Sequence, residues 1–222
     1  MRVYQKYCAL RYFLIPVTII ALAGCAKNNR IEISGRLLDP NQGISVNGAK
    51  VELWTRLIKS GVYTANYQLE ETQISDKEGK FSFDLPVKNW TGIRLAFSRQ
   101  GYYGWEYEVN MNQVNNYHIV SSDFQLLPKA WAKFLVKNRD PFDDADYFEF
   151  RIMNGYSGCD VCCHGEKYQF FGVTVEQDIL CQLVGHQDVI IQMSTRKNGE
   201  QVFSTQSWFV PAFDTTEIEL YY

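Results

Sequence analysis

The chain has 222 residues, of which 46% are hydrophobic, 15% aromatic and 21% charged, and its formal net charge is −3. This hydrophobic content is typical of a folded globular protein and excludes wholesale disorder. With 22 basic residues against 25 acidic ones, the chain lacks the positive charge that neutralises phosphates, so we expect no nucleic-acid partner.

Residues 1–24 have the pattern of a secretory signal peptide. Arg2, Lys6 and Arg11 form a basic stretch without acidic residues, and the apolar run 13–23 follows. A membrane-spanning helix needs about 20 apolar residues, and this run is shorter and contains Pro16. A cleaved leader is therefore favoured over a permanent anchor.

The end of the apolar run specifies how the leader is removed. Leu22-Ala23-Gly24-Cys25 resembles the lipobox of bacterial lipoproteins. The resemblance implies that Cys25 is diacylated on its sulfur, becomes the new N-terminus and is then N-acylated. Three acyl chains exceed the two signals that stable membrane anchoring requires. Ordinary signal-peptide cleavage near Cys25 is the alternative.

The predicted mature chain begins with the tether 25–30. Removal of 1–24 takes away three basic residues and no acidic one, which leaves 19 basic residues against 25 acidic ones over 198 residues. Ala26 stands where enteric bacterial lipoproteins carry an aspartate for retention at the inner membrane. The tether also lacks the acidic cluster linked to surface display. We predict a lipid anchor in the outer membrane on a periplasm-facing protein, with surface exposure as the alternative.

Beyond the tether, apolar and polar residues alternate in short segments, as half-buried β-strands require. The clearest segments are 31–34, 51–53, 81–85, 93–98, 148–152 and 218–220. Turn sequences rich in Gly, Asn and Asp separate them. The pattern predicts an all-β chain of two antiparallel β-sandwiches. Only 176–184 groups its apolar residues as a helix would, and a buried strand fits that run almost as well.

The first predicted domain, residues 31–128, closes on Leu126-Leu127-Pro128. In order it has a strand containing Gly35, a strand that begins after Gly48-Ala49, a hairpin over 76–81 and a corner at Gly101-Tyr102. This order resembles the carboxypeptidase regulatory-like domain, a transthyretin-like seven-stranded sandwich. The resemblance implies a structural or interaction module and carries over no functional residues. The polar segment between Leu57 and Thr72 departs from that family and predicts an enlarged strand or loop.

The second predicted domain, residues 129–222, is assigned by pattern alone. Its strand-like segments are 131–138, 146–154, 167–175, 189–195, 202–209 and 215–221. They predict a second sandwich of immunoglobulin or fibronectin type III character, although no diagnostic motif is present.

Four cysteines lie in this second domain: Cys159, Cys162, Cys163 and Cys181. Disulfides are the default in an exported protein, and four cysteines allow three pairings. A bond between the adjacent Cys162 and Cys163 would close a strained ring. We therefore expect one of these two to bond Cys181 and the other to bond Cys159.

A metal site is the alternative for the same residues. The four cysteines with His164 and His186 offer soft ligands for zinc or copper. The spacing lacks a second paired half, however, and adjacent cysteines rarely bind one ion together. We expect disulfides and no cofactor.

Two further groups are candidates for binding. Tyr102, Tyr103, Trp105 and Tyr107 could form a stacking surface for a sugar or a partner protein, although alternation favours one ordinary strand face for the last three. The acidic run 140–146 could offer oxygen ligands to calcium but lacks the order of an EF-hand loop, which favours a solvated loop.

Catalytic motifs of the metalloprotease, hydrolase and phosphate-loop kinds are absent from the sequence. We therefore expect no enzymatic activity. The hypothesis is a lipid-anchored envelope protein that docks to or assembles with another envelope protein. A glycan- or peptide-binding accessory is the alternative, and a metal or redox site at the cysteines is a third.

The lipobox makes a direct prediction. Cys25→Ala removes the sulfur that would be acylated, so the protein should move from the membrane fraction to the soluble fraction on cell fractionation. Substitution of a tether residue beyond the lipobox, such as Asn28→Ala, should leave it in the membrane fraction. A Cys25→Ala chain that stays membrane-bound would contradict the lipoprotein interpretation.

Overall fold

The computed structural model describes residues 30–59, 62–63, 65–114, 120–159 and 161–222. The predicted leader and Cys25 lie outside these residues, so the lipid anchor stays a prediction. Among the described residues, no helix is long and apolar enough to cross a membrane.

Nearly all of the regular secondary structure in the described chain is β-strand, which confirms the predicted fold class. The strands are β1 Arg30–Asp39, β2 Ile44–Ser45, β3 Lys50–Lys59, β4 Val62–Tyr63, β5 Gln68–Ile74, β6 Lys80–Pro86, β7 Trp90–Ser98, β8 Trp105–Val109, β9 Val120–Gln125, β10 Lys129–Lys137, β11 Tyr147–Ile152, β12 Lys167–Phe171, β13 Glu176–Val184, β14 Gln187–Lys197, β15 Glu200–Val210 and β16 Thr215–Tyr221. One short helix, α1 Met111–Val114, follows β8. Alternation did not predict α1, because four residues are too few to show a helical period.

The N-terminal sandwich packs two sheets over one hydrophobic core. One sheet has the order β2-β1-β6, with β9 also paired to β1, and the other has the order β4-β3-β7-β8, with β5 also paired to β3. Strand β6 shows how the sequence encodes this arrangement, because Phe81, Phe83 and Leu85 face the core while the residues between them are exposed. The polar segment after Leu57 contains the end of β3, the short strand β4 and the start of β5.

The C-terminal sandwich has a separate core. Its sheets have the orders β13-β10-β16 and β12-β11-β14-β15. The aromatic rings of Phe134, Phe148 and Phe150 fill the space between these sheets. Much of the aromatic content of the chain is therefore core packing in the two sandwiches.

Each sandwich is closed by pairing its first strand with its last strand in parallel. β1 pairs with β9, and β10 pairs with β16, whereas the other strand pairs are antiparallel. The two sandwiches are thus mainly antiparallel with one parallel pair each. Alternation alone does not reveal strand direction, because it reports only which face of a strand is buried.

Gly35 shows why the parallel pair in the N-terminal sandwich needs a particular sequence. A Cβ atom at this position would lie 2.6 Å from the Phe124 ring and 2.7 Å from the Ser122 carbonyl oxygen. Glycine therefore lets β9 approach β1 closely.

The turn at 76–80 is present, but it does not make the predicted hairpin. Asp76 accepts hydrogen bonds from the backbone N–H groups of Glu78 and Lys80, and Gly79 has a φ of 76°. The two strands that it joins lie in different sheets, because β5 pairs with β3 and β6 pairs with β1. The turn thus carries the chain from one sheet of the sandwich to the other.

The segment 176–184 is strand β13, which resolves the choice between strand and helix. It pairs with β10 along its whole length. The helix-like grouping arises because Leu180 is an exposed apolar residue on the outer face. Without it, Ile179, Cys181 and Leu183 alternate as a strand should.

The disulfides, Cys163–Cys181 and Cys159–Cys162, give a prediction about stability. Cys163–Cys181 joins positions 18 residues apart, whereas Cys159–Cys162 joins positions 3 apart. The entropy that a disulfide removes from the unfolded chain grows with the length of the loop it closes. Replacing Cys163 and Cys181 with alanine should therefore lower the unfolding free energy by about 3 kcal/mol. Replacing Cys159 and Cys162 with alanine should lower it by about 1.5 kcal/mol. Urea unfolding of the two paired variants checks this order, and equal losses would contradict it.

Candidate functional site

The four cysteines of the cluster form two disulfides. Cys163 bonds Cys181 in the core and Cys159 bonds Cys162, which confirms the expected pairing. These bonds use the four sulfurs that the metal alternative requires as thiolates. His164 Nδ1 lies 2.7 Å from the Gly155 carbonyl oxygen. Among the described residues, no three His, Cys, Asp or Glu side chains lie close enough together to hold a metal ion.

The acidic run forms a loop around one buried carboxylate. Asp146 accepts hydrogen bonds from the backbone N–H groups of Phe142 (2.8 Å) and Asp143 (3.3 Å) and from Asn138 Nδ2 (2.9 Å). Burial alone would raise the pKa of Asp146, but these hydrogen bonds more than offset that effect and the pKa is lowered. The loop interpretation is therefore confirmed, and Asp146 stabilises the loop.

The four predicted aromatic residues divide into two pairs. Trp105 and Tyr107 lie on β8, where both rings contact Phe124 at the edge of the N-terminal core. Tyr102 and Tyr103 precede β8 and are buried. The prediction that Tyr103 shares a strand face with Trp105 and Tyr107 is wrong, because the chain turns at Gly101, with a φ of 82°, before β8 begins.

Tyr103 is buried because it joins the two sandwiches. Its backbone N–H donates to the Leu127 carbonyl at 2.9 Å, and its hydroxyl donates to the Leu183 carbonyl on β13 at 3.0 Å. The same hydroxyl lies 3.4 Å from Cys162 Sγ, and the ring lies 4.2 Å from the ring of Tyr156. The cysteine cluster and the aromatic group, which are separate in the sequence, meet at this residue.

Tyr102 strengthens the same junction on its other side. It forms an isolated antiparallel bridge with Pro128, and its ring lies 5.1 Å from the ring of Phe213. The backbone continues the contact, since Gly185 N–H donates to the Pro128 carbonyl at 2.8 Å and Phe213 N–H donates to the Lys129 carbonyl at 2.7 Å. The junction is therefore a packed and hydrogen-bonded interface.

A cavity of about 290 Å³ opens at this junction. We call it the aromatic notch, and it is lined by Tyr103, Trp105, Gln125, Leu127 and Tyr156. None of these five residues is charged. The Trp105 ring is held in place because its Nε1–H donates to the Gln125 carbonyl at 2.7 Å, yet 37% of the residue is exposed.

The electrostatics of the notch disfavour proton-transfer chemistry. Burial, followed by the neighbouring Tyr156, raises the pKa of Tyr103 far above that of a free tyrosine. Its hydroxyl therefore stays protonated at physiological pH and donates to Leu183. The notch offers apolar ring faces with two hydroxyls and one amide side chain.

Tyr156 is the residue of the notch that sequence reasoning missed. It lies three residues before Cys159, outside the ring that the disulfide Cys159–Cys162 closes. Cys162 forms a parallel bridge with Gln182 next to the core disulfide. An aromatic residue beside a disulfide loop is a signal that could have indicated it. Its approach to Tyr103 depends on the packing of the two sandwiches, which residue spacing does not report.

A second depression of about 590 Å³ lies over β1, β6 and β9. It is lined mainly by polar and charged residues, including Glu32, Lys80 and the ion pair of Arg36 with Asp123 at 2.8 Å. The Arg36–Asp123 pair is satisfied within the chain. The aromatic notch is therefore the stronger candidate.

In the comparisons with known proteins, this chain is similar to solved structures only. No protein-family profile matches the chain, and no curated protein matches it in sequence. Among solved structures it is similar to the Bacillus anthracis TIE protein (11% identity, TM-score 0.36, 86% of this chain and 34% of that one) and to a Streptococcal ancillary pilin (15%, 0.31, 88% and 63%). It is also similar to the shaft pilin SpaA of Lactobacillus rhamnosus GG (8%, 0.30, 86% and 97%). The chain thus spans about a third of the first of these proteins and 63% of the second.

The contacts of Tyr103 predict a specific loss of stability. Tyr103→Phe removes the hydroxyl that donates to the Leu183 carbonyl, so the unfolding free energy should fall by about 1 kcal/mol or somewhat more. Tyr107→Phe is the matched control, because it keeps the ring on Phe124 and lies away from the junction. Chemical denaturation of both variants measures the difference, and equal stabilities would contradict the role assigned to Tyr103.

Proposed function

We propose that this chain is a non-catalytic, lipid-anchored envelope protein that serves as an interaction or assembly module for another envelope protein. The observation that carries the proposal is the aromatic notch at the junction of the two sandwiches. It is an uncharged, partly exposed recess with rigid walls.

The residue types that carry chemistry have structural roles in the described chain. The four cysteines form disulfides, Asp146 caps a loop, and the Tyr103 hydroxyl supports the junction. The five residues that line the notch carry no carboxylate, imidazole, thiol or amine, which are the groups that usually serve as nucleophiles or general bases. The Lys129 ammonium lies 5.3 Å from the centroid of the Tyr103 ring, where it makes a cation–π contact. This arrangement favours binding over catalysis.

The size and lining of the notch favour a protein side chain as the occupant. Its volume of about 290 Å³ lies at the lower end of small-molecule cavities, which begin at about 300 Å³. Recesses lined by Tyr, Trp and Leu are typical sites for the anchor residue of a protein interface. We infer that the notch receives one aromatic or aliphatic side chain of the partner.

The rigidity of the walls supports the same interpretation. The Tyr156 ring packs against the buried Tyr103 ring, with centroids 4.2 Å apart, and the Trp105 indole is hydrogen-bonded to the backbone. A wall that is already fixed loses little conformational entropy on binding. A sugar ring could also stack on Trp105, but the notch offers few polar groups for its hydroxyls, so a glycan is the second outcome that the experiment distinguishes.

The proposal predicts that filling the notch abolishes partner capture. Leu127→Trp should occupy the recess and Tyr156→Ala should remove one wall, while the two disulfides and β8 remain. After mild cross-linking in intact cells, co-purification of the envelope partner should fall by at least about tenfold for either variant, as expected when a central anchor is lost. Phe171→Ala, which removes an exposed aromatic side chain from β12, is the matched control and should keep the partner.

The possible results separate the functions. A partner that all variants retain would contradict the notch as the docking site. Thermal stabilisation of the wild-type protein by sugars, lost in Leu127→Trp and without a protein partner, would support the glycan-binding alternative instead.

A further inference from the structure

Strand β15 is an outermost strand with an unusually exposed sequence. It has 11 residues and pairs only with β14, on one side. Nine of its positions, from Glu200 to Ser207 together with Phe209, are exposed, and they include residues on both faces of the strand. Val202 is 61% exposed and Phe203 is 68% exposed, so neither face is covered by the second sheet near the turn.

At the free edge of β15, the unpaired backbone N–H and C=O groups are those of its odd-numbered residues. The Val210 carbonyl accepts from the His186 N–H at 2.7 Å, so the backbone of Val210 points towards β14. Backbone groups alternate in direction along an antiparallel strand. Phe203, Thr205, Ser207 and Phe209 therefore direct their N–H and C=O groups away from β14.

The edge also lacks the protection that outer strands normally have. From Gln201 to Val210, β15 contains no charged residue and no proline. The one charged residue within its bounds, Glu200, is its first residue, beside the turn. By contrast, six of the seven other outer strands of five or more residues among the described elements carry an Asp or Glu in their interior: β5, β6, β8, β9, β13 and β16. The seventh, β12, is like β15 in being charged only at its first residue, Lys167. Natural proteins use such charges to block edge-to-edge pairing, so β15 is open to a further strand.

The sequence of this edge is nearly a palindrome. Residues 202–210 read VFSTQSWFV, with Gln206 at the centre. If two such strands meet antiparallel about a two-fold axis at Gln206, Val202 lies opposite Val210, and Phe203 lies opposite Phe209. Thr205 then lies opposite Ser207, so every position in the ladder has an uncharged partner, and the two Phe–Phe pairs lie on one face of the sheet.

The backbone geometry agrees with this register. The pairs Phe203–Phe209 and Thr205–Ser207 join residues whose N–H and C=O groups point to the free edge. In an antiparallel ladder such pairs exchange both of their hydrogen bonds. If the two-fold axis passed through residue 205 or 207 instead of Gln206, the backbone hydrogen bonds could still form. The Phe–Phe and Val–Val pairs, however, would be lost.

We propose that β15 is a homodimer interface, in which a second copy of this chain adds its own β15 antiparallel about Gln206. The stretch 201–210 is uncharged, so a second copy that adds its own β15 brings no like charge to the contact. The result is a continuous sheet of eight strands across the two copies, since each contributes the four strands β12-β11-β14-β15. An isologous contact of this kind closes after two copies. The interface does not depend on the function proposed for the aromatic notch.

A single introduced cysteine tests the register. At the axis, Gln206 of each copy faces the other in a non-hydrogen-bonded pair, with Cα atoms about 4.5 Å apart, which is within disulfide range. In the full chain, Gln206→Cys should therefore give a covalent dimer on non-reducing gels. Ser204→Cys is the matched control, because the two copies of residue 204 lie about 14 Å apart, and it should give at least about tenfold less dimer.

A charge pair tests the interface without a covalent bond. Phe203→Glu or Phe209→Lys alone should convert the detergent-solubilised chain to a monomer, measured as protein mass by light scattering. The double variant should recover the dimer, because residue 203 of each copy then faces residue 209 of the other with opposite charge. Phe171→Glu, at an equally exposed phenylalanine (64%) on the opposite edge of the same sheet, should remain a dimer.

The proposal is overturned if the wild-type chain is monomeric by light scattering. It is also overturned if Ser204→Cys cross-links as strongly as Gln206→Cys, or if the double charge variant stays monomeric while its circular dichroism is that of the folded protein. The β15 variants should still capture the notch partner, and the notch variants should still dimerise, so failure of one proposal is distinguishable from failure of the other.

Discussion

The candidate site depends on the contacts that Tyr103 makes between the two sandwiches. A single side chain reaches from the N-terminal sandwich to the Leu183 carbonyl on β13, and its ring contacts Tyr156, which precedes the disulfide loop. Around it the connection is short and hydrogen-bonded, with the Lys129 N–H donating to the Gly101 carbonyl at 2.7 Å. These contacts leave little room for the sandwiches to move apart. The notch exists because two sandwiches that are separate in sequence present their aromatic residues to one another.

Close packing within the C-terminal sandwich, next to this interface, requires a glycine at position 185. A Cβ atom at Gly185 would lie 2.6 Å from the Cα atom of Ala212, and 3.1 Å from the Cβ atom of Ala130. The Gly185 carbonyl also accepts a hydrogen bond from Asn41 Nδ2 of the N-terminal sandwich at 2.8 Å. Close backbone approach thus accompanies the tyrosine contacts. The interface buries polar groups that are paired, as a permanent junction requires.

The sequence predicted the features that arise from local pattern. Alternation identified most of the strands, and the turn residues at 76–79 were found. Compartment chemistry and ring strain predicted two disulfides and excluded a bond between Cys162 and Cys163, but they left open which of these two bonds Cys181. It did not predict features that depend on strand partners. The hairpin at 76–81 proved to be a crossing between sheets, and the parallel closure of each sandwich had no local signal. Tyr103 was grouped with Trp105 by spacing, but its environment is set by Leu183 and Tyr156, which lie more than 50 residues away along the chain.

The two proposed surfaces show opposite uses of aromatic residues. In the notch, Tyr103 and Trp105 are held by hydrogen bonds and form a fixed recess, whereas Phe203 and Phe209 on β15 are exposed side chains of an uncharged edge. The first arrangement suits the insertion of one partner side chain, and the second suits the addition of a strand. Under the two proposals, a lipid-anchored dimer would present two notches, one on each copy, at the membrane.

The central claim is that the two sandwiches form one unit through the Tyr103 junction. Differential scanning calorimetry of the full chain tests it most directly, because cooperative units unfold together. We predict a single transition whose calorimetric and van't Hoff enthalpies agree. Two resolved transitions, each with the enthalpy of one sandwich, would contradict the claim.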